Sequence, residues 1–141
     1  MEGDIMVTNE KMNELAEEAK KAANNAYAPY SHFRVGAAIL CKDGSIVTGV
    51  NVENRSYGLT ICAERNAITT AVTQGQYSFL ALALSTPDSD SPVGPCGACR
   101  QVLSEFMAPD CPVRFGSNST AIIDTTIGEL LPFDSLHDLK K

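Results

Sequence analysis

Two cysteine-bearing segments constrain this chain more than any other feature. Cys62-Ala63-Glu64-Arg65 places a thiol, a carboxylate and a guanidinium within one turn of a predicted helix. Pro95-Cys96-Gly97-Ala98-Cys99 supplies two more thiols, and a spacing of three residues sets both on one helix face. Together the segments offer three sulfurs. Zinc is held tetrahedrally: structural sites close with four protein ligands, whereas catalytic sites keep three and leave the fourth position to water. Three thiolates with a carboxylate beside them point to hydrolysis.

The rest of the chain reads as a frame for those segments. Residues 9–27 carry Met12, Leu15, Ala16, Ala19, Ala22, Ala23 and Ala26 near helical spacing, with Glu and Lys on the other face and Thr8 or Asn9 as cap. Pro29 stops the pattern, because proline lacks an amide hydrogen and disfavours helix in the residue before it. Residues 33–41 and 45–50 are strand-like and flank Lys42-Asp43-Gly44, a hairpin signal. Residues 51–61 form a polar loop into a helix over 62–73, with Gly75 just past its end. Residues 79–85 are almost all apolar, which suits a strand covered on both faces. A surface loop over 86–94 precedes a second helix over 96–107. Short strands over 112–116 and 120–124 follow, then a helical turn over 126–131. Helices alternating with strands predict an α/β fold, a central five-stranded sheet with helices on both faces and an antiparallel hairpin at its start.

At 141 residues the chain suits one domain, 1–141, large enough for a core without disulfide staples. Seventeen acidic against eleven basic residues give a net charge of −6, and Lys and Arg never run longer than a pair. Binding long nucleic acids relies on clustered cations, so a small uncharged ligand fits better. The apolar runs fall far short of the ~20 residues a membrane helix needs, so no membrane span is expected. The acidic start lacks the basic and apolar regions of a secretory signal, so a cytoplasmic location is expected. Five cysteines are odd in number, and metal ligation explains three of them better than disulfides do.

The motifs resemble the zinc-dependent nucleobase deaminases, whose signature pairs H-x-E, or a cysteine variant of it, with P-C-x-x-C. The segments Ser31-His32-Phe33-Arg34-Val35-Gly36-Ala37-Ala38, Asn51-Val52-Glu53-Asn54 and Cys96-Gly97-Ala98-Cys99-Arg100-Gln101-Val102-Leu103 are similar to the small homotetrameric cytidine deaminases of pyrimidine salvage, over residues 27–132. That resemblance implies a three-layer α/β/α sandwich with one zinc per subunit, held by Cys62, Cys96 and Cys99 at the starts of two central helices. It implies hydrolysis of cytidine and deoxycytidine at C4, with Glu64 as proton shuttle and not as ligand. It also implies that Phe33 packs on the pyrimidine, that Ala63 meets the base edge through its backbone, and that Asn51 and Glu53 bind the ribose hydroxyls. Tyr57 falls where the family reaches into a neighbouring subunit's site. A family phenylalanine that covers another subunit's pocket sits several residues beyond Leu-Leu-Pro, whereas Phe133 follows Pro132 directly.

The residues also admit other readings. A deaminase for another aminopyrimidine nucleoside or a nucleoside antibiotic would use the same motifs, although Asn51 and Glu53 suit ribose. A non-catalytic structural zinc module would close its shell with Cys41 or Cys111. The thiols could be buried small apolar groups or a redox pair. Taken alone, Glu64 is a first-turn acid, Arg65 a surface charge, Phe33 a core aromatic and Asn51 a turn residue. Arg65, three residues after Cys62, can share its helix face and donate to the thiolate sulfur.

Overall fold

The computed structural model describes residues 6–139, so residues 1–5 of the acidic start lie outside it. Helix α1 (Asn9–Ala23) begins at Thr8, whose Oγ1 accepts the Lys11 amide at 3.1 Å, and it buries Met12, Leu15, Ala19 and Ala23. It ends four residues before the expected Tyr27. Asn24 and Asn25 follow Ala23, and asparagine competes with helical hydrogen bonding through its own side chain. Tyr27 leaves the helix and forms an isolated parallel bridge with Val52.

Strands β1 (Gly36–Cys41) and β2 (Ile46–Val50) form the expected hairpin, with Gly36 opposite Val50 and Leu40 opposite Ile46. Gly44 takes φ +94° in the turn, a conformation that favours glycine. β1 starts three residues later than its apolar pattern suggests, because the Asn51 side chain takes the backbone hydrogen bonds of Phe33 and Val35. β3 (Phe79–Ser85) pairs antiparallel with β1 and parallel with β4 (Pro112–Gly116), and β5 (Ile122–Thr126) closes the edge antiparallel to β4. The mixed sheet therefore runs β2-β1-β3-β4-β5. β5 begins two residues after the expected 120, because Ser117 and Ser119 accept backbone amides from residues 119 and 121 and hold a turn there.

Alternation along the strands builds two cores. Ala38, Leu40, Ala81 and Ala83 face α1, while Ala37, Ile39, Leu82, Leu84 and Val113 face the other side. Helices α2 (Ala63–Thr73) and α3 (Gly97–Phe106) cover that second side, giving the expected three layers. α3 is also the crossover that parallel β3 and β4 require. A short helix α4 (Ile127–Leu130) follows β5. Two glycines set the layer spacing: a Cβ on Gly36 would lie 1.9 Å from the Ala19 carbonyl oxygen, and one on Gly49 would lie 2.3 Å from the Ala67 nitrogen. The helix carrying Cys62 thus rests directly on the backbone of β2.

Candidate active site

Cys62 caps α2 and Cys96 caps α3, so each helix starts one residue later than the motif suggests. Both caps have extended backbone, and neither thiol makes a capping hydrogen bond to its helix, which leaves both sulfurs free to turn toward each other. Cys99 sits in the first turn of α3. All three Sγ atoms lie within 4.8 Å of one another, with Cys62 and Cys96 at 3.8 Å. A tetrahedron with zinc–sulfur bonds of about 2.3 Å has edges of about 3.8 Å, so the donor set fits the ion in kind and in spacing. Cys41 and Cys111 belong to the core on the α2/α3 side, and the Cys111 thiol donates to the Phe79 carbonyl at 3.6 Å. Among the described residues the close thiol group therefore has three members, not four.

The electrostatics favour thiolate here. Both helix N-termini present free amide hydrogens, which stabilise negative charge. The Cys62 thiol is pulled down to about 5, chiefly by the Cys99 thiol bonded to it and further by Arg65 and Cys96, against the effect of burial. Cys99 is raised, first by its hydrogen bond with Cys62 and then by its own burial. Two adjacent thiolates repel each other, and a divalent cation removes that conflict. Arg65 Nη2 donates to Cys62 Sγ at 3.4 Å, while Arg65 Nε is buried with no hydrogen-bond partner among the described residues.

Glu64 lies in the first turn of α2 and is 4% exposed. Burial pushes its carboxyl up to about 7, with the Cys62 charge adding to the rise. It lines a chamber of about 180 Å³ together with Cys62, Cys96, Ala63 and Asn51. Val35, Leu84 and Val93 form apolar walls of this chamber, and Thr60 and Thr86 also line it.

The remaining expected residues are distributed unevenly around that chamber. Asn51 lines it and is 8% exposed, with its side-chain amide donating to the Phe33 carbonyl at 2.8 Å and accepting the Val35 amide at 2.9 Å. One donor hydrogen and one acceptor lone pair remain free for a ligand. Glu53 does not share the chamber. Val52 between them bridges Tyr27 on one side and Ile61 on the other, and Glu53 lines an outer chamber of about 450 Å³ with Tyr30, Ser31, Tyr57 and Thr60. Its carboxylate accepts the amides of Tyr30 (3.0 Å) and Ser31 (3.2 Å) and the Ser31 hydroxyl, and this network lowers its pKa, the hydroxyl foremost. Tyr57 is 75% exposed, its ring 6.1 Å from that of Tyr30. Phe33 is half-buried and joins the site through its backbone. Phe133 is 92% exposed and lies beside Met107, Ile127 and Leu131 in a different cavity of about 560 Å³.

Several lining residues have no sequence signal of their own. Thr60, Leu84, Thr86, Val93 and Gly94 carry no motif, and the loop over 86–94 looks like ordinary surface. Thr86 follows the carboxyl end of β3, where open α/β sheets gather ligands, and that position is the one signal available for it. The loop is fastened by Asp88, which accepts the Arg34 amide and Nε at 2.9 Å and Nη2 at 2.8 Å. Arg34 separates Phe33 from Val35, so this ion pair ties the loop to the segment that Asn51 holds.

Comparison with known proteins follows the same lines. The family described as "Cytidine and deoxycytidylate deaminase zinc-binding region" matches residues 9–114. A cytidine deaminase of Halalkalibacterium halodurans is 49% identical, covering 84% of this chain and 89% of its own. A blasticidin-S deaminase of Bacillus cereus is 40% identical, over 84% of this chain and 88% of its own. The crystal structure of a cytidine deaminase from Burkholderia pseudomallei superposes with a TM-score of 0.82 at 44% identity, covering 86% of this chain and 96% of that one. With its three sulfurs, its buried carboxylate and its mixed sheet, this chain belongs to the cytidine and deoxycytidylate deaminase zinc-binding family.

Proposed function

We propose that this protein hydrolyses cytidine and deoxycytidine to uridine and deoxyuridine, releasing ammonia, as a step of pyrimidine salvage in the cytoplasm. The observation that carries the reading is a zinc-sized thiol trio, two of whose cysteines line one small chamber with a buried carboxylate raised to about 7. Zinc, one per subunit on Cys62, Cys96 and Cys99, supplies the Lewis acidity that activates water.

Glu64 takes a proton from the attacking water, delivers it to ring N3, and then helps protonate the amine that leaves C4. A carboxyl near 7 can hold and release one proton at neutral pH, which both transfers require. Arg65 draws electron density from the Cys62 thiolate, offsetting the formal −1 that three thiolates leave on a divalent ion. The Ala63 backbone meets the base edge and Phe33 packs against the ring. The free donor and acceptor of Asn51, together with Glu53, address the sugar hydroxyls.

The 141 residues act as one catalytic domain that assembles into a homotetramer, with Tyr57 reaching a neighbouring site and Phe133 covering another subunit's pocket. A mass of four chains in solution supports this, and a fully active monomer refutes the shared site. The likeness to a blasticidin-S deaminase favours a nucleoside antibiotic as the second reading. The test of function is the ultraviolet change on converting cytidine to uridine, with and without chelator and with blasticidin S in parallel. Chelator-sensitive turnover of cytidine supports the first reading, and turnover of the antibiotic alone supports the second. No change with either compound refutes both.

A further inference from the structure

Thr60 lines both chambers: the inner one with Cys62, Cys96 and Glu64, and the outer one with Glu53, Ser31, Tyr30 and Tyr57. It is half-buried at the end of the 3-10 turn Tyr57–Leu59, where its amide donates to the Tyr57 carbonyl at 3.1 Å. Among the described residues its hydroxyl has no hydrogen-bond partner. A hydroxyl without an internal partner, on a half-buried residue shared by two cavities, is available to a ligand that spans them.

A pyrimidine nucleoside has the shape to span both cavities. N1 stands opposite C4 in the six-membered ring, so a base with C4 toward the sulfurs sends its glycosidic bond away from them, toward the outer chamber. Two oxygens flank that bond, the pyrimidine 2-carbonyl and the furanose ring oxygen, and both only accept hydrogen bonds. We propose that Thr60 is a substrate-binding residue whose hydroxyl donates to one of these oxygens and so seats the nucleoside with its base inward and its sugar outward. The inference rests on the deaminase reading above. Because both oxygens occur in ribosides and deoxyribosides alike, and in substrate and product alike, the contact acts equally on all of them and equally before and after reaction.

The test compares wild type with Thr60→Val, which removes the hydroxyl at nearly constant volume, and Thr60→Ser, which keeps it. KM and kcat are measured for cytidine and deoxycytidine, uridine binding is measured by calorimetry, and zinc is counted per chain. In Thr60→Val, KM and the uridine dissociation constant rise about three- to tenfold, as one lost hydrogen bond predicts, while kcat stays within about twofold. Thr60→Ser stays near wild type, and the factor is the same for both substrates. Unchanged KM and uridine binding in Thr60→Val overturn the proposal. A loss confined to cytidine also overturns it, because the contact would then be to the 2′-hydroxyl. Lost zinc and lost kcat in Thr60→Val with uridine binding intact overturn it as well, since Thr60 would then only support the Cys62 segment. A wild-type protein inert toward cytidine refutes the deaminase reading itself and takes this inference with it.

Discussion

Gly49→Ala tests whether the position of the α2 helix controls the site. A Cβ at residue 49 would stand 2.3 Å from the Ala67 nitrogen, 2.6 Å from the Ala63 carbonyl oxygen and 2.8 Å from the Ala67 Cα. Ordinary contact begins near 3.4 Å, so helix and strand must separate by about 1.1 Å (3.4 − 2.3). All three neighbours are backbone, and no rotamer change relieves them. Ala63 follows Cys62 directly, so the displacement passes to the first sulfur and to Glu64 while the α3 thiols stay in place. Alanine is intrinsically better than glycine inside a strand by roughly 0.5–1 kcal/mol. Overpacking costs about 1–3 kcal/mol, at the upper end against rigid backbone, so the clash wins. The expected result is an unfolding temperature lower by roughly 5–10 °C. Turnover falls about 100-fold, because a misplacement of about 1 Å at a reacting centre costs that much. Zinc is also lost to chelators faster. Gly58→Ala is the control, since a Cβ there meets nothing within 4 Å. Wild-type melting and wild-type turnover in Gly49→Ala would refute the reasoning.

Other perturbations probe the remaining links. Glu64→Gln keeps one zinc per chain and near-normal uridine binding but loses turnover by about 10²–10⁴-fold, and ordinary turnover would remove Glu64 from the mechanism. Stripping zinc lowers the unfolding temperature as well as abolishing activity, because a ligand that binds only the native state stabilises it, and calorimetry of both forms reads this directly. The Arg34 side chain, followed by its amide, holds the Asp88 carboxyl down to about 2. A carboxyl depressed on folding contributes stability above its unfolded value of about 3.9 and loses it as pH falls toward the folded value. Asp88→Asn is therefore less stable than wild type at pH 5–7, and the gap closes between about pH 4 and 2. A gap that stays constant in acid titrations would show that the charge of Asp88 does not hold the loop.

The zinc-binding trio and Glu64 are legible in the chain because their chemistry is local: ligands three residues apart on a helix, and an acid in the first turn, are fixed by helical geometry wherever the helix lies. The same holds for the hairpin at Asp43-Gly44 and for the strand over 79–85, whose turn chemistry and unbroken apolar run need no distant partner to be read. Element ends were harder to place. Tyr27 leaves its helix to pair with Val52, Phe33 and Val35 yield their backbone groups to Asn51, and Ser117 and Ser119 delay β5. In the first two cases the deciding partner is far off in sequence, and in the third a local side-chain turn overrides strand propensity.

Sequence alone marked the three thiols, the carboxylate beside the first of them and the layered α/β architecture, since motif spacing and the period of the apolar residues carry these. Only the tertiary structure decided that Glu64 would titrate near neutrality, because desolvation depends on what packs over a side chain and not on its neighbours in the chain. It also decided that Asn51 and Glu53 would face different chambers, that Asp88 would anchor the loop wall, and that Thr60 would line both chambers. Each of these depends on where separate segments meet, and such meetings leave no periodic trace in the sequence.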